Sequence, residues 1–218
     1  MKFLVKDDTA ENQYLFADCC DKVLIANTLA DVLPVLAEVE SLQAAGYWLA
    51  GWISYEASPA FEPRHVVKRS DDNFPLVYFM AVKDVKRISL EELTQLDDSP
   101  LMTGMVPKVN EDDYHDACSA VLDYIKEGDI YQANYSFRCT FPLKTDALSL
   151  FITLEHQHPV PYSFYMDTGD WQIVSQSPEL FLSKNGRQLL SKPMKGTIKR
   201  GPDFIQDEEL RLELTRDE

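Results

Sequence analysis

Apolar residues along this chain change their spacing several times, and each change marks an element. Residues 46–56, GYWLAGWISYE, are apolar on both alternating faces, the pattern of a strand covered on each side. Residues 75–85, PLVYFMAVKDV, predict a second buried strand. Ahead of both, Leu33, Leu36 and Val39 recur at helical spacing through residues 31–45, until Gly46 ends the pattern. The first hundred residues therefore read as strands around one helix.

The next helix has a clear start. Asn110 can cap it, and Glu111, Asp112 and Asp113 stand at its positive end. Tyr114, Ala117, Val121 and Tyr124 predict its buried stripe, with Gly128 as its stop. Beyond it, Tyr131, Ala133, Tyr135, Phe137, Cys139 and Phe141 alternate with Gln132, Asn134, Ser136, Arg138 and Thr140. That is a strand with one apolar and one polar face, and the polar face could meet solvent or line a cavity. A short helix over 147–156 and strands near 162–166, 172–175, 180–183 and 188–191 follow. Residues 203–218 are rich in Glu, Leu and Arg and predict a final helix, although Leu210, Leu212 and Leu214 alternate as in a strand.

Helices followed by runs of consecutive strands predict an α+β fold of mostly antiparallel β-sheets, packed face to face with helices outside. The stretch from about Leu90 to Pro107, with its acids, Ser99-Pro100 and Gly104, reads as a connector. It divides an N-terminal lobe, 1–107, from a second part, 108–218. No apolar run approaches the roughly 20 residues of a membrane helix, and charge within MKFLVKDD excludes a signal-peptide core, so a cytoplasmic protein is expected. Cys19, Cys20, Cys118 and Cys139 have no zinc or redox spacing, which predicts free thiols in a reducing compartment. The net charge of -15 makes nucleic acid and anionic membrane surfaces poor partners. An anionic substrate would need a local basic patch or a metal ion.

One such patch exists. Lys192, Lys195, Lys199 and Arg200 cluster within nine residues of an acidic chain. A solvated basic turn around Pro193 and Gly196 is one reading. The other is a lysine kept neutral by cationic neighbours and partial burial, its pKa brought down from about 10.4 so that it can act as a nucleophile. Thr197 could then offer a hydroxyl to a substrate oxygen, and Gly196 would allow close approach to the backbone. Ser177-Pro178-Glu179, by itself, reads as a helix or turn start, with Ser177 as cap and Pro178 in the first position.

Taken together, the segments GYWLAGWISYEASPAFEP, YIKEGDIYQANYSFR, PYSFYM, SQSPELFL and KPMKGTIKRG stand in the order found in the chorismate-utilising enzymes, and the chain resembles that family over nearly its whole length. SPELF followed by P-x-K-G-T is the specific pairing. The short N-terminal lobe looks most like the compact aminodeoxychorismate synthase component I branch. The resemblance implies that Lys195 is the nucleophile, that Glu179 is the general acid, and that Gly196 and Thr197 contact chorismate. Lysine before Gly-Thr is usual in aminodeoxychorismate synthases, where anthranilate synthases usually have alanine. The implied reaction is amination of chorismate at C4, with ammonia supplied by a glutamine amidotransferase subunit.

The same resemblance implies a tryptophan or effector site at Pro161, Tyr162 and Ser163, positions that read equally well as ordinary sheet residues. It also implies Mg²⁺, whose ligands in the family lie beyond a point corresponding to Glu218. The chorismate-utilising fold is therefore expected to be incomplete in this chain, and the piece inactive alone. Anthranilate synthase component I, or a non-catalytic domain that binds an amino acid or a partner, are the alternatives.

Overall fold

A strand buried on both faces, at the very start of the chain, organises the fold. The structure is a computed structural model, and it describes residues 1–7, 9–10, 12–68, 73–92, 104–194 and 196–216. The first half runs through β1 (Lys2–Lys6), β2 (Tyr14–Ala17), β3 (Lys22–Ala26), α1 (Leu29–Ala44), β4 (Trp48–Ile53), β5 (Val77–Val82) and β6 (Lys86–Ile88). The second runs through β7 (Val106–Pro107), α2 (Glu111–Glu127), β8 (Cys139–Thr140), α3 (Ala147–Gln157), β9 (Tyr162–Asp167), β10 (Gln172–Ser177), β11 (Leu180–Asn185), β12 (Gln188–Lys192) and α4 (Phe204–Leu214).

Every ladder is antiparallel. One sheet has the order β10-β9-β1-β2-β6, and a second has the order β3-β5-β4. The two pack face to face through Phe3, Ala17 and Met166 from one and Ala50, Met80 and Val82 from the other. Successive residues of a strand point to opposite faces, so Leu4 turns the other way and joins Tyr14, Phe151, Ile152 and Tyr165 beneath α3. On the outer face of the second sheet, α1 covers Ala26, Leu76 and Val77 with Val32. The architecture is the expected α+β one, two sheets in contact with helices outside. The larger sheet takes strands from both sides of residue 107.

Local signals held where the required partner lies close in sequence. Asn110 caps α2 by accepting the Asp113 amide at 2.8 Å, and Gly128 ends it at φ +81°. Asp203 caps α4 by accepting the Gln206 amide, so the leucines at 210, 212 and 214 belong to a helix rather than a strand. Two expectations are corrected. Residues 131–141 contribute to a ladder only at Cys139 and Thr140, which pair with Pro107 and Val106; alternation gives two faces, but a strand also needs a neighbour. The stripe of α2 is not buried: Tyr114 and Tyr124 are exposed, and Ala117 and Val121 are half-covered. Through Tyr114 the helix makes ring contacts with Tyr135 and Phe137. Of the predicted connector, residues 93–103 lie outside the described residues. All four cysteines are free, and no described helix is long and apolar enough to cross a membrane.

The α3 face of β1 carries a buried charge. Lys6 donates to Glu155 Oε2 at 2.9 Å, and the Tyr14 hydroxyl makes a short bond to the same oxygen. The Glu155 side chain is fully covered. Burial pushes its carboxyl up, but the bonds from Tyr14 and Lys6 outweigh it and leave the pKa below the usual range. Burial, then the bond to Glu155, raises Tyr14. Because the Glu155 pKa is depressed on folding, the stabilisation is present above the ordinary carboxylate pKa and lost as the pH falls through the folded value. Lys6→Met should therefore cost about 3 kcal/mol at neutral pH, because removing one member of a buried pair strands the other. Urea unfolding at neutral and acidic pH would measure it, and the loss should shrink once Glu155 is protonated. A cost below about 1 kcal/mol at neutral pH would mean that Lys6 does not hold α3 to the sheet.

Candidate active site

The two sequence segments that carry the candidate chemistry lie side by side because a hairpin joins them. β10 ends at Ser177, Glu179 follows, and β11 begins at Leu180, which pairs with Lys192 at the end of β12. Ser177-Pro178-Glu179 is thus a link between two strands and not the start of a helix. The Ser177 hydroxyl donates to the Glu179 carbonyl at 3.1 Å, a local side-chain bond that replaces the missing ladder partner. Across the hairpin, Glu179 Oε1 accepts the backbone N–H of Met194 at 2.9 Å. This contact ties SPELF to the P-x-K-G-T segment.

Lys195, the predicted nucleophile, lies outside the described residues. On its far side, Gly196 passes close to α4: a Cβ there would come within 3.2 Å of Leu214 Cδ1. Thr197 lines a cleft of about 550 Å³ with Ile198, Glu209, Leu212, Glu213 and Arg216. The described residues therefore bring Glu179 against Met194, and place Gly196 and Thr197 against the last turns of α4.

Sequence reasoning took Arg200 only as one member of a basic patch. It forms a two-pronged pair with Asp207, Nε to Oδ1 at 2.7 Å, and Gly201 N–H donates to the same Oδ1 at 2.9 Å. A Cβ at Gly201 would sit 2.3 Å from the Asp207 amide nitrogen, so the backbone there must be glycine. This clamp fixes the turn between the P-x-K-G-T segment and α4. The hydrogen bond from Arg200, aided by that from Gly201, draws the Asp207 carboxyl down from 3.8 to about 2.

The predicted effector positions adjoin this region through the sheet. Tyr162 pairs with Ser177, and Ser163 pairs with Gln176. Pro161 is exposed, Tyr162 half-buried and Ser163 buried. Among the described residues, Glu155 Oε1 and both amide atoms of Gln176, which stand beside buried Ser163, have no hydrogen-bond partner. A nearby cavity of about 350 Å³ is lined by Lys6, Gln13, Tyr14, Ser89, Glu155 and His156. Sequence reading missed Lys6, Tyr14 and Glu155. The one available signal was Glu155 itself, an acid four residues after Phe151 on the apolar stripe of a helix.

Among the described residues, no three His, Cys, Asp or Glu side chains converge to hold a metal ion.

The two packed antiparallel sheets with helices outside form an α+β architecture, and comparison with known proteins shows the family it belongs to. The chain matches the chorismate binding enzyme family over residues 2–218, and it belongs to that family. It is 29% identical over 203 residues to aminodeoxychorismate synthase component 1 of Bacillus subtilis, covering 77% of this chain and 43% of that one. It is 41% identical over 105 residues to anthranilate synthase component 1 of Thermus thermophilus, covering 48% of this chain and 23% of the relative. Among solved structures, a Bacillus anthracis protein described as a 2,3-dihydroxybenzoate-specific isochorismate synthase shares the fold. Its TM-score is 0.63 at 18% identity, covering 97% of this chain and 54% of that one. Anthranilate synthase component I of Streptococcus pneumoniae gives a TM-score of 0.64 at 20% identity, covering 79% and 46%. The chain spans about half the length of these structural relatives, and less of the sequence relatives.

The Arg200–Asp207 clamp predicts that the Asp207 carboxyl titrates near pH 2. Since its folded pKa is depressed, the stabilisation it gives is intact above the ordinary carboxylate range and fades as the pH drops towards 2. Carboxyl-carbon NMR titration of wild type and Arg200→Ala would show it. The mutant midpoint should rise towards 3.8, and an ordinary midpoint in wild type would mean the clamp does not form in solution.

Proposed function

We propose that this chain supplies the front part of an aminodeoxychorismate-forming active site. The observation that carries the reading is the bond between Glu179 and the Met194 amide, which holds an acid beside the segment that contains Lys195. In this reading the neutral Lys195 amine attacks C2 of chorismate, and both ring double bonds shift, C1=C2 to C1=C6 and C5=C6 to C4=C5. Glu179 gives its proton to the departing C4 hydroxyl, which leaves as water. Ammonia then adds at C4 and loses a proton to the Glu179 carboxylate, both double bonds return, and Lys195 departs from C2 with the electron pair of the broken C–N bond to give 4-amino-4-deoxychorismate. Gly196 and Thr197 position chorismate. The ammonia comes from a glutamine amidotransferase subunit. Mg²⁺ and its ligands come from outside the described residues, and no step above is drawn through it.

The relatives include both aminodeoxychorismate synthase and anthranilate synthase. Lys195 favours the former, because anthranilate synthases usually have alanine at that place. The test uses the full natural reading frame that encodes these residues, given chorismate, ammonia and Mg²⁺. Wild type should yield aminodeoxychorismate, and Lys195→Ala and Glu179→Gln should each lose about 100-fold or more in turnover. Anthranilate as product would assign the chain to the sister reaction. Unchanged turnover in Lys195→Ala would remove the nucleophile.

A second reading concerns regulation or assembly and rests on the partnerless polar atoms beside Ser163. Buried polar groups without partners are costly unless something satisfies them. We propose that tryptophan binds by Pro161–Ser163 and the Glu155 cluster. Calorimetric titration with tryptophan should give saturable binding, weakened about tenfold by Ser163→Ala, the loss of roughly one hydrogen bond. Absence of heat at millimolar tryptophan would end this reading without touching the first.

A further inference from the structure

The segment that carries the candidate substrate contacts lies along one helix. At its start the Met194 amide is held by Glu179 Oε1 at 2.9 Å. Gly196 then passes so near α4 that an added Cβ would stand 3.2 Å from Leu214 Cδ1, and at Gly201 it would stand 2.3 Å from the Asp207 amide nitrogen. Gly196 thus meets the last turn of α4 and Gly201 the first, so the residues between them run antiparallel to the helix. Ile198 and Leu214 line both of the clefts, of about 550 and 490 Å³, that flank this contact. The two contact points, Asp207 and Leu214, are separated by roughly 10 Å of helix rise. The chain from Gly196 to Gly201 can reach about 17 Å when extended. Its length alone therefore leaves slack, and something else must fix its path.

α4 carries two surface ion pairs that differ in what they join. Arg211 pairs with Glu208 inside the helix, whereas Arg200 reaches Asp207 from the segment. Exposed pairs contribute little to stability as a rule, so the weight of the second lies in its geometry. Asp207 Oδ1 accepts both Arg200 Nε at 2.7 Å and Gly201 N–H at 2.9 Å, and Oδ2 accepts Arg200 Nη2. One carboxylate thereby holds a side chain and the backbone of the next residue in a single orientation. We propose that Asp207 is a positioning residue, which through Arg200 and Gly201 fixes the path of residues 196–200 along α4 and so sets where Gly196 and Thr197 meet the substrate. It acts through the chain and not on the substrate. This inference rests on the reading that the P-x-K-G-T segment contacts chorismate. A displacement of about 1 Å in a positioned group can cost on the order of 100-fold in rate.

The test pairs turnover by the full natural reading frame that encodes these residues with amide exchange in this chain. Asp207→Asn should lower kcat about tenfold or more while the chorismate KM changes less than about threefold, because misplaced groups matter most as bonds change. Arg200→Lys, which keeps the charge and loses the fork, should show the same pattern to a smaller degree. Arg211→Gln breaks only the pair inside the helix and should leave both constants as in wild type. In this chain, Asp207→Asn should speed exchange of the Met194 amide about tenfold, since releasing one end of the segment loosens the other, while thermal melting stays that of wild type. Wild-type kcat in Asp207→Asn, an equal loss in Arg211→Gln, or an unchanged Met194 amide would each overturn the proposal. If wild type forms anthranilate, or nothing, the reaction proposed above falls. Asp207 is then judged by its effect on that product and on the Met194 amide.

Discussion

A strand in the middle of a sheet must satisfy hydrogen bonds on both edges and find apolar company on every covered face, and β1 meets all of these demands within five residues. Its two edges pair with β2, close in sequence, and with β9, far along the chain. One face meets the second sheet through Phe3, and the other meets α3 through Leu4. Lys6, at the end of the strand, then supplies the cation that Glu155 requires once α3 has excluded water from it. Removing the strand would leave one edge of β9 unpaired, uncover α3 and strand a carboxylate in one step. The positions of β9 and β10, and hence of the link that carries Glu179, are set by this N-terminal segment.

The candidate site depends on that arrangement through two short connections. β10 delivers the chain to Glu179, and the hairpin returns it to Met194 where the carboxylate can accept an amide. At the other end the Arg200–Asp207 clamp fixes the approach to α4. The acid and the segment around Lys195 are thus placed by backbone and charge contacts local to the hairpin. The sheet supplies the platform, and the chemistry sits where the platform gives way to turns, as is common for functional residues.

How much of this was legible in the sequence follows from range. The Asn110 cap and the Gly128 stop need only neighbours three or four residues away, and they read correctly. The α+β class was legible from the order of periodicities, as were the pieces of the candidate site from their order along the chain. Residues 131–141 show the limit of this approach. Alternation revealed two faces but could not reveal whether a neighbouring strand exists to complete the ladder. The same holds for α2, whose stripe was visible while its degree of cover was not. Ser177-Pro178-Glu179 read as a helix or turn start, and it is the turn, because cap and proline chemistry serves both and only the neighbouring strands decide between them. Lys6 and Glu155 were out of reach, since nothing local links residues 149 positions apart.

That separation also bears on synthesis. β1 is made well before its partner β9 and its counter-ion Glu155, which lies 149 positions after Lys6. Until then one edge of β1 and its α3 face have no native partner, and the second sheet is the part best able to form early, since β3, β4 and β5 lie within one stretch of chain. Long-range antiparallel pairing closes a large loop before it gains contacts, which makes it slow and leaves the nascent strand open to wrong partners. A five-residue strand made long before its partners is thus among the last pieces to lock into place.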